Sequence, residues 1–352
     1  MTERRNLEWL YNSPRTGVVA QWVQRHASEL QTFPVMDESV LLVNAWEEMG
    51  PKNFGYRPDQ VTMSKEGQEN LLVPERSSEL WRIREAHALE QQALAADPNR
   101  SRELDANGPK LHLREFTAWL TDRRLVHFKM WHSDWWNVRT LNMGLRDRNV
   151  PEHYREDILP TLERDHYIFK SAHPNFVVVH AVVVTSDGHL ILTKRVSKSD
   201  FHGDAISASI EEQMNGRLDN SPYDTFYRSV DSSPKMKLSG RGGEELRLHI
   251  KADRIGLAGV ILEPDVNGTG LIIIGESGET SEEIDARILG RDKAEFDPTR
   301  PVWTLPLKNP DMAIQQLLDP PFKWHGSSRF RLLTALFAVH GYDEIIQRVN
   351  SA

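Results

Sequence analysis

The spacing of hydrophobic residues changes near residue 165. Before that point, apolar positions recur every three or four residues, which is typical of amphipathic helices. Residues 77–97, SSELWRIREAHALEQQALAAD, predict a helix that Ser77 or Ser78 caps and Asp97-Pro98 ends. Residues 110–145 predict one or two further helices. We therefore expect residues 1–164 to form a mainly helical N-terminal domain.

The rest of the chain, residues 165–352, has shorter apolar runs. Residues 175–195 predict two strands joined by a Ser-Asp-Gly turn, a strong local signal for a hairpin. A polar, loop-rich stretch follows from 196 to 243. Further strands are predicted at 246–250, 254–264, 270–276 and 302–307, and a terminal helix at 327–345. This order of elements indicates an α+β domain.

Composition narrows the range of functions. The formal net charge is −8 in 352 residues, which argues against a protein that coats nucleic acid or a membrane surface. The chain has no cysteine, which excludes disulfides, thiolate zinc sites and cysteine nucleophiles and fits a cytoplasmic location. The longest apolar run, 176–184, is too short to span a bilayer.

Tryptophan is concentrated in the first half, where eight of the ten lie between Trp9 and Trp136. Trp131, Trp135 and Trp136 have the spacing of one apolar helix face that packs against a core. The same three rings could instead form a cage for a ligand, since indole offers a large contact area and a good face for cations. In that case the N-terminal half would be an adaptor or peptide-binding domain.

The order of elements in residues 170–345 resembles the Nudix superfamily. VVVHAVVVTSDGHLILTKR is similar to its opening hairpin, and ISASIEEQMNG stands where the family has a Gly-rich loop. RGGEELRL looks like the end of the family's metal-binding helix, and a terminal helix also fits. The resemblance implies a mixed sheet flanked by helices.

The resemblance also implies a reaction, the hydrolysis of a nucleoside-diphosphate-linked small molecule with Mg²⁺ or Mn²⁺. These hard cations prefer carboxylate oxygens. The candidate metal ligands are Glu244, Glu245, Glu211 and Glu212. Catalytic roles would fall on Glu245 and Glu282, and contacts to the substrate phosphates on Arg241, Lys194 and Arg195. Whether the chain forms a homodimer stays open.

The spacing of the family motif, Gly-x5-Glu-x7-Arg-Glu-U-x-Glu-Glu-x-Gly-U with U a bulky apolar residue, is not met in any register. If Glu244 and Glu245 are the final pair, Arg241 stands where a metal-binding carboxylate belongs. A guanidinium there would pair with the glutamates and repel a cation. If Arg228 takes the arginine position, Val230 fits, but serines occupy the final pair.

Besides an adaptor or peptide-binding role of the N-terminal half, two functions therefore remain open from the sequence. One is a divergent Nudix-type hydrolase, and the other is a Nudix-fold module that binds a nucleotide-like ligand or a protein partner without hydrolysis. Simpler readings also exist for the acidic residues. Glu211 and Glu212 could be solvated surface residues, and TSEE at 280–283 could be a capped start of a helix.

Overall fold

The structure is a computed structural model. The described residues are 33–35, 39–44, 48–66, 79–96, 108–119, 125–142, 176–194, 205–230, 246, 248–263, 268–288, 302–349 and 351.

Among these residues, twelve strands form one mixed sheet. Hydrogen-bonded neighbours follow the order β1, β2, β10, β11, β6, β4, β5, β3, and β7, β8, β9 and β12 join beside β6 and β7. The pairs β6–β11 and β3–β5 are parallel. The strands are β1 Phe33–Val35, β2 Ser39–Asn44, β3 Val61–Glu66, β4 Pro109–Trp119, β5 Leu125–Asp134, β6 Phe176–Val184, β7 His189–Lys194, β8 Ile206–Ala208, β9 Ile210–Gln213, β10 Ile250–Glu263, β11 Gly268–Ser277 and β12 Val302–Pro306.

Seven α-helices accompany the sheet in the described part of the chain. They are α1 Glu79–Ala96, α2 Trp135–Asn142, α3 Pro222–Val230, α4 Ser281–Ile288, α5 Pro310–Leu318, α6 Ser328–His340 and α7 Tyr342–Val349. Helix α1 confirms the helix predicted at 77–97. The predicted terminal helix is confirmed as α6, which ends where Gly341 adopts a φ of 93° and α7 begins.

The hairpin of β6 and β7 opens like a fork. The two strands are paired at Val184 and Leu190, close to their connecting turn. Farther from the turn, β9 pairs with β6 and β8 pairs with β7, so the segment β8–β9 fills the space between the two arms. Ser209, between β8 and β9, lies where the chain passes from one arm to the other.

Helices cover both faces of the sheet and bury two apolar clusters. On one face, Phe226 and Val230 of α3 pack with Val179 and Ala181 of β6. On the other face, α5, α6 and α7 pack with a second set that includes Val182. Removing these surfaces from water is the main stabilising contribution to the fold. The mixed sheet between helices that we expected is thus present.

The helices predicted for 110–145 are wrong over most of their length. Residues of that segment form β4 and β5, and helix begins only at α2. The physical reason is visible in the burial of Val126, Phe128 and Met130, which alternate with more exposed neighbours and are 0% exposed. A period of two belongs to a strand with one buried face. Trp131 is consequently on a strand, and it does not share a helix face with Trp135 and Trp136.

The stretch 196–243 also contains more structure than the predicted loop. Residues 205–230 form β8, β9 and α3, and their apolar side chains, Ile206, Ala208, Ile210 and Phe226, are buried. Short strands of three and four residues leave too few positions for a periodic signal.

Strands from both predicted domains share the sheet, because β2 pairs with β10 and β4 meets β6. The predicted boundary between residues 164 and 165 lies outside the described residues and stays a prediction. No helix among the described residues has the length and apolar character needed to cross a membrane.

Candidate functional site on strand β9

Two adjacent carboxylates on β9 point to opposite faces of the sheet. Glu211 lies opposite His180 of β6, and Glu212 lies opposite Val179. Val179 packs in the cluster under α3. Since directly opposed residues in an antiparallel pair share a face and successive residues alternate, Glu212 faces α3 and Glu211 faces α6.

The Glu211 carboxylate is enclosed by cationic and imidazole groups. It accepts a hydrogen bond from Arg331 of α6, whose side chain is 0% exposed. The Nδ1 atoms of His325 and His180 lie 2.8 and 3.7 Å from the same oxygen, Oε1. A Cβ at Gly270 would lie 2.4 Å from His180 Nε2, so glycine leaves the room that this ring occupies. The Glu211 carboxylate is therefore held within the packed interior between the sheet and α6.

The Glu212 carboxylate has a more open environment. Its Oε1 lies 3.0 Å from a terminal nitrogen of Arg228 on α3, and its side chain is 26% exposed. Arg228 also binds the buried Asp219 carboxylate at 2.8 Å. Burial lowers the pKa of Arg228, but the hydrogen bond from Arg228 to Asp219 and the charges of both carboxylates outweigh it, so the pKa is raised and the guanidinium stays charged.

Helix α3 follows β9 and precedes β10 along the chain, and Arg228 lies near its C-terminal end. In the register that puts Arg228 at the motif arginine, the next position, a metal-binding glutamate in the family, is Ser229. Ser229 is 1% exposed, and its hydroxyl donates to the carbonyl oxygen of Thr225 at 2.9 Å. This side chain therefore closes a turn of the helix.

A short segment before β10 is hydrogen-bonded both to the end of α3 and to the residues just before α4. The amide nitrogens of Leu246 and Leu248 donate to the carbonyl oxygens of Ser229 and Val230. Three residues after Leu246, the carbonyl of His249 accepts from Gly278, and the His249 amide donates to the Glu279 carboxylate at 3.2 Å. The chain that follows the Glu244-Glu245 pair thus connects the ends of two helices on the same face of the sheet.

Helix α4 begins with a capping box, as the simpler reading of TSEE predicts. The Thr280 amide donates to Glu283 Oε2 at 2.8 Å, and the Glu283 amide donates to the Thr280 hydroxyl at 3.3 Å. Glu283 is therefore used in the cap. Glu282 is exposed in the first turn, while Ile284 packs in the cluster beneath α3.

The turn of the β6–β7 hairpin fixes the start of α4. Asp187 accepts hydrogen bonds from the Ser281 amide at 2.9 Å and the Ser281 hydroxyl at 2.7 Å. Burial alone would raise the Asp187 pKa, but hydrogen bonds from Thr185 and Ser281 and the nearby His189 hold it well below its usual range. The carboxylate is thus charged, and it orients the helix that carries Glu282.

The structure brings together only part of the predicted site. Glu212 faces α3, whereas Glu211 faces the other side. Lys194 lies opposite Ile206, whose side chain packs on the α6 side. Arg195, Arg241, Glu244 and Glu245 lie outside the described residues. Within the described ranges, no three His, Cys, Asp or Glu side chains have an arrangement that could hold a metal ion, so the predicted metal set stays a prediction.

Three residues around Glu211 and Glu212 were not singled out from the sequence. These are Ser209, His325 and Arg331, whereas Arg228 was considered only as a candidate for the motif arginine. Arg331 is 120 positions away from the glutamate that it binds, and nothing in the spacing of residues connects them. Ser209 is a serine with a φ of 38°, in the left-handed region that favours glycine. The position of this serine within the family's Gly-rich loop was the one available signal.

Comparison with known proteins gives no family assignment. No protein-family model matches the chain, and no curated protein matches it. Among solved structures, Tm1382, described as a candidate Nudix hydrolase, is 11% identical with a TM-score of 0.31, over 66% of this chain and 98% of its own. DR0079 from Deinococcus radiodurans is 11% identical with a TM-score of 0.27, over 45% and 80%. Likenesses this low carry no argument.

Proposed function

We propose that the protein is a divergent Nudix-type hydrolase, located in the cytoplasm, that cleaves a nucleoside-diphosphate-linked small molecule. The observation that carries this proposal is the segment containing Leu246 and Leu248, which is hydrogen-bonded to the end of α3. Glu244 and Glu245 directly precede it in the chain. Consecutive Cα atoms are about 3.8 Å apart, so in this proposal the pair would lie within reach of the end of α3, where Ser229 stands in place of the motif glutamate.

The candidate ligands suit Mg²⁺ or Mn²⁺ in type, because all of them are carboxylates. Glu244, Glu245 and Glu212 would hold the cation on the α3 face, and Glu211 is assigned no part. A bound cation would supply positive charge at the diphosphate. For Glu212 to act as a ligand, its carboxylate must bind the cation together with Arg228 or leave Arg228 for the cation.

The protein's own residues would carry the remaining chemistry. Glu245 or Glu282 would accept the proton of the water that attacks phosphorus, since α4 begins beside the same His249 segment. Arg241 and Arg195 would neutralise the phosphate oxygens, which is the usual task of basic side chains in such sites. Lys194 lies on the α6 side with Ile206 and is assigned no part.

A second candidate function is a module that binds a nucleotide-like ligand or a protein partner without hydrolysis. The specific observation in its favour is Ser229, which is sealed in a helix turn at a position where the motif needs a carboxylate. The ion pair of Glu212 with Arg228 also favours it.

One experiment separates the two functions. The full chain is incubated with a panel of nucleoside-diphosphate derivatives and Mg²⁺ or Mn²⁺, beside the variant Glu244→Gln/Glu245→Gln and the matched surface control Glu344→Gln on α7. We expect turnover in the wild type and the control and a loss of about 100-fold or more in the double variant. Absence of turnover, with stabilisation by a nucleotide that needs no metal, would establish the binding module instead.

A further inference from the structure

The segment β8–β9 changes the face to which its alternate side chains point at Ser209. Before it, Ile206 and Ala208 pack in the cluster on the α6 side. After it, Ile210 and Met214 pack in the cluster on the α3 side. In an uninterrupted strand, residues two apart share one face. The backbone at Ser209 therefore shifts the alternation by one residue, and a shift of one exchanges the faces of every later side chain.

This shift decides which glutamate faces α3. Continued without it, the alternation of β8 would turn Glu211 towards α3 and Glu212 towards α6. The left-handed φ of 38° at Ser209 reverses that assignment. A serine is strained in this conformation, so other contacts must hold it.

The Ser209 hydroxyl supplies the first of these contacts. It accepts from the Val183 amide at 3.0 Å and donates to the Ile191 carbonyl at 2.7 Å. Val183 belongs to β6 and Ile191 to β7, so one hydroxyl links the two arms of the fork where they separate. All of these groups are buried, and a buried backbone group without a partner is costly.

The Thr193 hydroxyl of β7 donates to the Ser209 carbonyl, and helix α6 supplies further contacts on both sides of Ser209. Arg331 donates to the carbonyl of Ala208 at 3.1 Å and to the carboxylate of Glu211. Ser328 accepts from the Ala208 amide at 3.2 Å and from Arg331 at 2.9 Å. A planar guanidinium can reach both sites at fixed spacing, which a lysine cannot do.

We infer that Arg331 is a positioning residue for the candidate site: it clamps the left-handed turn at Ser209 and so directs Glu212, rather than Glu211, to the α3 face. The clamp itself is argued from the contacts of α6. Its effect on catalysis rests on the proposed function. Arg331 lies on the opposite side of the sheet from the site, so it acts through the backbone of β9.

The clamp is tested by amide hydrogen exchange on the full chain. Arg331→Lys keeps the charge and loses the fork, and Ser328→Ala removes the hydroxyl. The matched control is Thr334→Val on the same helix, whose hydroxyl bonds only within the helix to Phe330 among the described contacts. We expect Arg331→Lys to speed exchange in peptides covering 205–213 at least about tenfold, Ser328→Ala to speed it less, and both to leave β10 and β11 unchanged.

Activity then reports on positioning separately from stability. If the protein hydrolyses its substrate, Arg331→Lys should lower kcat about tenfold and leave KM nearly unchanged. Its kcat should also be lower than that of Thr334→Val when each variant is assayed at the same temperature interval below its own Tm. Exchange in 205–213 that stays at the control's level in both Arg331→Lys and Ser328→Ala overturns the clamp, whatever the activity. If the wild type shows no turnover but Arg331→Lys still exchanges faster in 205–213, the proposed function is overturned and the clamp is retained.

Discussion

Glu211 and Glu212 are neighbours in sequence, and each is bound to an arginine, yet their environments differ. The Glu211 side chain is 10% exposed, and its partner Arg331 is 0% exposed. The Glu212 side chain is 26% exposed, and its partner Arg228 also serves Asp219. Strand geometry separates the two carboxylates, and burial then determines that one is fixed in the interior while the other stays within reach of solvent.

The comparison shows that adjacent acids in a sequence need not form one ligand set. On a helix, residues three and four apart share a face, but on a strand neighbours never do. A pair of glutamates can therefore divide into a structural member and a functional member. The two members should also differ in their contribution to the free energy of unfolding. Breaking a buried ion pair leaves an uncompensated charge, whereas a partly exposed ion pair is screened by solvent.

The largest expected effect is on the Glu211 side. Arg331→Met leaves Glu211 without its main cation and should lower the free energy of unfolding by about 3–5 kcal/mol, measured by urea denaturation. The double variant Arg331→Met/Glu211→Leu should recover most of this loss, because no charge is left buried. Arg348→Met removes a partly exposed arginine paired with Asp311 and Glu344, and it should cost far less because solvent screens that pair. Equal losses in the two single variants would contradict the comparison.

The second effect is on the Glu212 side. Arg228→Met should lower the free energy of unfolding by about 2–3 kcal/mol. The loss is smaller because Asp219 keeps hydrogen bonds from the Asn215 amide at 2.6 Å and the Thr225 hydroxyl at 2.8 Å. The same urea titration measures it. A loss larger than that of Arg331→Met would reverse the order of the two sides.

Asp187 provides a reference for both glutamate–arginine pairs, because hydroxyl and amide donors bind its carboxylate instead of an arginine. We expect Asp187→Asn to cost about 1–2 kcal/mol at pH 7. The folded pKa lies below the ordinary value of 3.8, so the charged carboxylate stabilises the fold above that value and the contribution disappears as pH falls through the folded pKa. The difference in stability between wild type and variant should begin to shrink below about pH 4 and keep shrinking as the pH falls further. A constant difference from pH 7 to pH 2 would disprove the assignment.

The smallest effect on stability is expected at Glu212 itself. Glu212→Gln should change the free energy of unfolding by less than about 1 kcal/mol, because the carboxylate is partly exposed and its pair with Arg228 is screened by solvent. Thermal unfolding of the variant beside Glu344→Gln measures the change. A loss as large as that of Arg331→Met would place Glu212 among the structural residues.

The sequence predicted the elements that have clear local signals. The helix at 77–97 has a serine cap and a proline after its end, and the hairpin at 175–195 has two apolar runs joined by a Ser-Asp-Gly turn. The β4–β5 hairpin was mistaken for helix, because its connection through residues 120–124 has neither glycine nor proline to mark a turn. Its alternation at Val126, Phe128 and Met130 was the better signal.

The candidate site was harder to predict, for two physical reasons. Arg331 meets Glu211 only through the packing of α6 on the sheet, and local spacing contains no information about that contact. The assignment of faces on β9 depends on one left-handed residue, Ser209, which reverses the alternation that a pattern argument would assume. The acidic residues were noticed individually, but their relation to one another is a property of the fold.

The most direct test of the account is the Mn²⁺ affinity of Glu212→Gln and Glu211→Gln, measured by electron paramagnetic resonance at a temperature where both variants are folded. The account predicts that Glu212→Gln weakens binding about tenfold or more, while Glu211→Gln stays within about twofold of the wild type. Equal losses in the two variants, a larger loss in Glu211→Gln, or no binding by the wild type would contradict it.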